Sequence, residues 1–275
     1  YKDLDTHCED LDILLKVFGP AAFAEEVNPL SLYVAQRFPQ TEVAEILLSR
    51  FPEASSRRDE DGTTPLMHAC AANERYDQVS YLLERQVDGV YAQDNFGANC
   101  FHYACFFGAF AVAELLLRKF PDLVSVTEGN GALPLHDAVQ NRRGEDTQLR
   151  LVKLLLQADA LSCAAQDSFG ALPLHYAARH SSEETFQVLL SLFPEALQFP
   201  DHEGLLPMHY FAQRSAQDKS EHISMLHLMM AANPLGEREK EKVRLQAIKR
   251  LKDSMLQQQQ QQQQPQEKKS GGLGG

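Results

Sequence analysis

The chain has 275 residues, 44% of them hydrophobic and 23% charged, which suits a globular protein of one or two domains with a sizeable core. No apolar run approaches the roughly 18 residues that a transmembrane helix needs, so no membrane partner is expected. Residues 237–275 carry nine Lys/Arg against five Asp/Glu, so the net charge of −12 leaves −16 on residues 1–236; such an acidic body repels phosphate backbones, arguing against nucleic acid and for a basic protein partner.

In chain order, residues 1–27 contain "CEDLDILLKVF" followed by Gly19–Pro20, a short helix with a stop signal, expected to cap the helices after it. Next come "PLSLYVAQ" (29–36) and "TEVAEILLSRFPEA" (41–54), two apolar-periodic stretches that read as a helix pair. A phrase then recurs five times: "DEDGTTPLMHAC" (59–70), "DNFGANCFHYAC" (94–105), "EGNGALPLHDAV" (128–139), "DSFGALPLHYAA" (167–178) and "DHEGLLPMHYFA" (201–212). Its glycines, Gly62, Gly97, Gly131, Gly170 and Gly204, are spaced 35, 34, 39 and 34 residues apart. After each phrase comes a second apolar stretch with one face to bury, such as "AVAELLLRKF" or "TFQVLLSLF". The long gap is assigned to an extra polar "RRGEDT", read as a grown loop between two helices.

A fixed period of about 34 residues, each unit a helix–turn–helix, marks a repeat array. The phrase resembles the ankyrin repeat, Asp-x-x-Gly-x-Thr-Pro-Leu-His-x-Ala, over about residues 28–235. Cys100 for Pro, Met67 for His, Glu128 for Asp, and Leu for Thr in three copies are mild departures. The resemblance implies an all-α ankyrin-repeat solenoid of about six repeats within 28–236: 28–58, 59–93, 94–127, 128–166, 167–200 and 201–236. The "FPEA", "FPDL" and "FPEA" endings (51–54, 120–123, 193–196) also resemble ankyrin proteins of diatoms and related algae. Residues 237–256 read as a charged helix with Leu245, Ile248, Leu251 and Met255 on a narrow apolar stripe. The Gln- and Gly-rich stretch 257–275 is expected to be a disordered tail.

The glycines fit turns of positive φ, the aspartates can accept turn N–H groups, and Pro65, Pro134, Pro173 and Pro207 suit a first helical turn. In the family the histidine hydrogen-bonds backbone across repeats, so His102, His136, His175 and His209 are expected to be structural. Standing once per repeat, they are too far apart to share a metal. The five cysteines (Cys8, Cys70, Cys100, Cys105, Cys163) form no CxxC pair and read as buried free thiols. No cofactor, metal site or catalytic residue is expected.

Function is then sought where the repeats differ. The residue after each histidine position is His68, Tyr103, Asp137, Tyr176 or Tyr210; three further along stand Ala71, Phe106, Gln140, Arg179 and Gln213. These share a helix face, expected to be exposed, which in the family lines a concave groove along with the turn tips (60–61, 95–96, 129–130, 168–169 and 202–203). His68, Tyr103, Phe106, Asp137, Gln140, Tyr176, Arg179, Tyr210 and Gln213 are therefore the candidate partner-binding residues of a monomeric, non-catalytic protein-interaction scaffold or adaptor. Alternatives are an accessory domain of a larger kinase, protease or ubiquitin ligase, or a small-molecule or metal binder using the histidines. The chain opens on Tyr1, not Met, so it reads as a fragment or processed product; a removed targeting segment stays open. A cytoplasmic or nuclear location is expected.

Overall fold

The structure, a computed structural model, describes residues 55–71, 76–85, 87–141, 143–213 and 219–232. The expected capping helix, most of the first repeat, the charged helix 237–256 and the tail lie outside the described residues. Within them, helices pair along the chain: α1 (Pro65–Cys70) with α2 (Tyr76–Arg85), α3 (Cys100–Phe106) with α4 (Phe110–Lys119), and α5 (Pro134–Gln140) with α6 (Glu145–Ala158). A further pair is α7 (Pro173–His180) with α8 (Glu183–Leu192), and α9 (Pro207–Phe211) and α10 (Lys219–Ala232) follow in the chain. No strand occurs among the described residues. The odd-numbered helices stack in one row and the even-numbered ones in a second, giving an all-α repeat solenoid.

Helices of five to eight residues, the lengths of the odd-numbered row, are marginal alone and depend on packing. Each offers a buried column of Leu66, Phe101, Leu135, Leu174 and Met208, and the first four add Ala69, Ala104, Ala138 and Ala177. The small residues let successive helices stack closely; the second row closes the core with Val79, Val112, Val152, Phe186 and Met229. Cys70, Cys100, Cys105 and Cys163 are free and buried as expected, and burial pushes the Cys70 and Cys105 thiols well above their usual range.

The Asp-x-x-Gly phrases form turns that cross-link the repeats. Asp94 Oδ1 accepts from the N–H groups of Phe96 and Ala98, both at 2.9 Å, and Asp167 and Asp201 repeat the pattern. Neighbouring turns are joined by backbone bonds: Asn95 N–H to Asp61 O (2.9 Å), Gly129 N–H to Phe96 O (2.8 Å), Ser168 N–H to Asn130 O (2.7 Å) and His202 N–H to Phe169 O (2.8 Å). Gly97 shows why the position takes glycine. Its φ is 83°, and an added Cβ would lie 2.3 Å from Gly129 N.

Two sequence features take unexpected form. The extra residues of the 39-residue gap are not a grown loop. Glu145, Asp146 and Thr147 form the first turn of α6, which runs 14 residues where α2, α4 and α8 run 10. Two acidic residues at a helix N-terminus favour that outcome through the helix dipole. Gln148 fixes it: buried, its Nε2 donates to Val139 O at 2.8 Å and Asn141 O at 2.9 Å. The Phe-Pro endings at 120–123 and 193–196 begin the 3-10 turns Pro121–Ser125 and Pro194–Gln198, with proline where no N–H is needed.

Candidate binding groove

The repeated histidine is a backbone clamp. In α5, Leu133 N–H donates to His136 Nδ1 at 3.0 Å; in α7 and α9, Leu172 and Leu206 donate likewise to His175 and His209 at 3.0 and 2.8 Å. The ring thus performs half of a capping box, the half a Glu side chain usually supplies. With Nδ1 accepting, Nε2 carries the proton and donates to the next repeat, His136 to Ala171 O at 3.3 Å and His175 to Leu205 O at 3.2 Å. Burial lowers the His136 and His175 pKa values and holds that of His102 at about 4. Among the described residues no cluster of three or more His, Cys, Asp or Glu could hold a metal.

The residue after the histidine position has a partner of its own, and the expectation of an exposed tyrosine stripe is corrected. Tyr103, Tyr176 and Tyr210 are half-buried and pack against the core. Each hydroxyl donates to the turn aspartate nine residues earlier: Tyr103 to Asp94 Oδ2 at 2.8 Å, Tyr176 to Asp167 at 2.6 Å and Tyr210 to Asp201 at 2.7 Å. In the first described repeat His68 stands in for tyrosine, its Nε2 2.8 Å from Asp59 Oδ2. One carboxylate thus takes turn N–H groups on one oxygen and a groove-side donor on the other. Burial and the Asp94 carboxylate raise the Tyr103 pKa to about 12, and the same causes raise those of Tyr176 and Tyr210.

The repeat between them departs from this rule. Glu128 stands in the aspartate column and Asp137 in the tyrosine column, so two carboxyl groups replace a donor and an acceptor. Asn130 takes over the turn, accepting from Ala132 N–H at 2.7 Å. Asp137 is only 6% exposed, and its Oδ2 is buried with no hydrogen-bond partner. Burial, and then the Glu128 charge, push its pKa well above the usual carboxylate range; burial likewise raises that of Glu128.

A short aspartate where a tyrosine ring would sit leaves a hollow of about 390 Å³, lined by Tyr103, Phe106, Phe107, Asp94, Glu128 and Asp137. Phe106 and Phe107 are 46% and 43% exposed and meet edge to face, their ring centres 5.2 Å apart. A second hollow of about 620 Å³ shares both phenylalanines and Gln140 and adds Arg143 and Arg179. Of the candidate residues, Tyr103, Phe106, Asp137 and Gln140 meet in the first hollow, and Phe106, Gln140 and Arg179 in the second. His68, Tyr176, Tyr210 and Gln213 line neither. Phe96 and Asn130, from two of the turn tips expected at the groove, also line the first hollow, as do Asp94 and Glu128, which were not among the candidates. The signal that could have found Glu128 is its place in the aspartate column opposite Asp137.

Models of ankyrin repeats match residues 30–126 and 135–190. The chain is 30% identical over 163 residues to the probable 26S proteasome regulatory subunit p28 of Saccharomyces cerevisiae, covering 58% of this chain and 68% of that protein. It is 32% identical over 129 residues to the SMC5-SMC6 complex localization factor protein 1 of Bos taurus, covering 46% of this chain and 12% of that protein. It thus spans about an eighth of that relative's length. A putative E3 ubiquitin-protein ligase, XBAT31 of Arabidopsis thaliana, is 30% identical over 51% of this chain and 32% of its own. These mammalian, yeast and plant relatives lend no support to the algal likeness of the Phe-Pro endings. A chain in the solved complex of a predatory endopeptidase from Bdellovibrio bacteriovorus with an immunity protein shares the fold, at TM-score 0.56 and 21% identity over 71% of this chain and 96% of that one. Repeat period, turn ladder and family match agree, and the chain belongs to the ankyrin-repeat family.

Proposed function

We propose that the chain is a non-catalytic scaffold or adaptor that binds a protein partner along the groove lined by α3, α5 and α7, in the cytoplasm or nucleus. The observation that carries this reading is the Phe106–Phe107 pair, two large exposed aromatic rings between two hollows on the side where the repeats vary. Exposed aromatic side chains beside pockets are what interface hot spots use. The acidic body suits a basic partner. The second reading, an accessory ankyrin domain of a larger enzyme, draws on the likeness to one third of a putative ubiquitin ligase.

The tyrosines are poor probes of this, because each also holds a turn. Phe106 has no such duty. Phe106→Ala should reduce capture of the partner from cell extract by about thirtyfold in affinity, the effect of truncating an aromatic anchor worth about 2 kcal/mol. Its melting temperature should stay within a few degrees of wild type, since truncating a half-exposed side chain costs little. Normal capture by Phe106→Ala would place the partner elsewhere.

A further inference from the structure

Four of the five described repeats close the groove floor with the same pair, a turn aspartate and a donor nine residues on: Asp59 with His68, Asp94 with Tyr103, Asp167 with Tyr176 and Asp201 with Tyr210. In the remaining repeat both members are acids, Glu128 and Asp137. Asn130 hydrogen-bonds Glu128, but at Asp137 the fold supplies an acceptor and withholds the donor. A buried carboxyl oxygen without a partner destabilises the fold, and more so when charged. A donor arriving from outside would recover that cost. Asp137 lines the hollow together with the rings of Tyr103, Phe106 and Phe107 and the acids Asp94 and Glu128. Aromatic faces with carboxylates behind them attract a cation twice over, through the ring quadrupole and through charge.

We propose that this hollow is a specificity pocket for a lysine side chain presented by a basic segment of the protein partner. The methylene stem would lie against the Phe106 and Phe107 rings, and the ammonium would pair with the Asp137 and Glu128 carboxyl groups. The stem-and-head division matches the hollow, apolar at its mouth and acidic at its floor. The −16 charge of residues 1–236 draws a basic segment toward the protein. This rests on the groove reading and assigns the groove its partner chemistry.

The test uses the full chain and a fluorescein-labelled peptide in which lysine alternates with glycine and serine, with a second peptide whose lysines are all Nε-acetylated. Fluorescence anisotropy should show binding of the first and none of the second. Asp137→Asn, which preserves shape, should weaken binding about tenfold or more, and Glu128→Gln should act in the same direction. Glu183→Gln combined with Glu184→Gln, on the outer helix α8, removes more charge away from the pocket and should leave affinity within about twofold. Equal losses in Asp137→Asn and the α8 variant would mean diffuse attraction to an acidic body and would overturn the proposal, as would binding of the acetylated peptide or no binding at all. The groove reading is scored separately on the natural partner. Capture sensitive to Phe106→Ala but indifferent to Asp137→Asn would keep the groove and discard the lysine pocket.

Discussion

At the scale of single residues, the chemistry of the groove turns on which side chains have partners inside the fold. Asp137 has none on Oδ2, and its raised pKa has a consequence for stability. A carboxyl group whose folded pKa lies above its unfolded value, near 3.8, contributes fully below pH 3.8, and that contribution is lost as pH rises through the folded pKa. Asp137→Asn carries no charge to desolvate, so it should raise the chemical-denaturation stability at pH 7 by about 1–3 kcal/mol. The gain should shrink as the pH is lowered toward 4. His102 titrates in the opposite sense: held neutral by burial to about pH 4, it contributes above pH 6.5 and is lost as pH falls. Because His102 is common to both proteins, the difference between the two stability curves isolates Asp137. A less stable Asp137→Asn at pH 7 would mean that the carboxylate is already paired. The sequence shows the double departure at 128 and 137 plainly. The tyrosine–aspartate pairing that gives it meaning is harder to read. Helix-face arithmetic places Tyr103 and Tyr176 on the varying side, but their partners lie in the preceding turn, which folds back over that face.

At the scale of elements, the array is held by turns as much as by helices. Five turn glycines share a φ between 75° and 83°, yet they differ in what surrounds them. Gly97 faces the Gly129 backbone, whereas an added Cβ on Gly204 would meet nothing within 4 Å. Gly204→Ala should therefore cost about the 1–2 kcal/mol of the left-handed conformation alone. Gly97→Ala must also push two turns apart, breaking the Gly129–Phe96 bond, and should cost at least about 1 kcal/mol more. Urea midpoints of the two variants compare them directly; equal losses would mean that neighbouring turns are not in contact. The glycines, prolines and histidines were legible because each does a local job that recurs at a fixed period. The four-residue lengthening of α6 was not, since Arg-Arg-Gly looks like a loop. The decisive contact, Gln148 against the carbonyls that end α5, joins two helices.

At the scale of the molecule, short helices that could not stand alone become a rigid row through stacking, and the row presents one face whose composition is free to vary. Function on such a face is decided by what occupies the gaps between stacked rings. The central claim is that the partner sits on this face, against Phe106, rather than on the outer helices. Site-specific photo-crosslinking measures this directly, with a benzoylphenylalanine placed in turn at Phe106 and at Leu192, which is 50% exposed on the outer helix α8. Crosslinking of the partner from position 106 and not from position 192 is the predicted result, and crosslinking from 192 alone would contradict it.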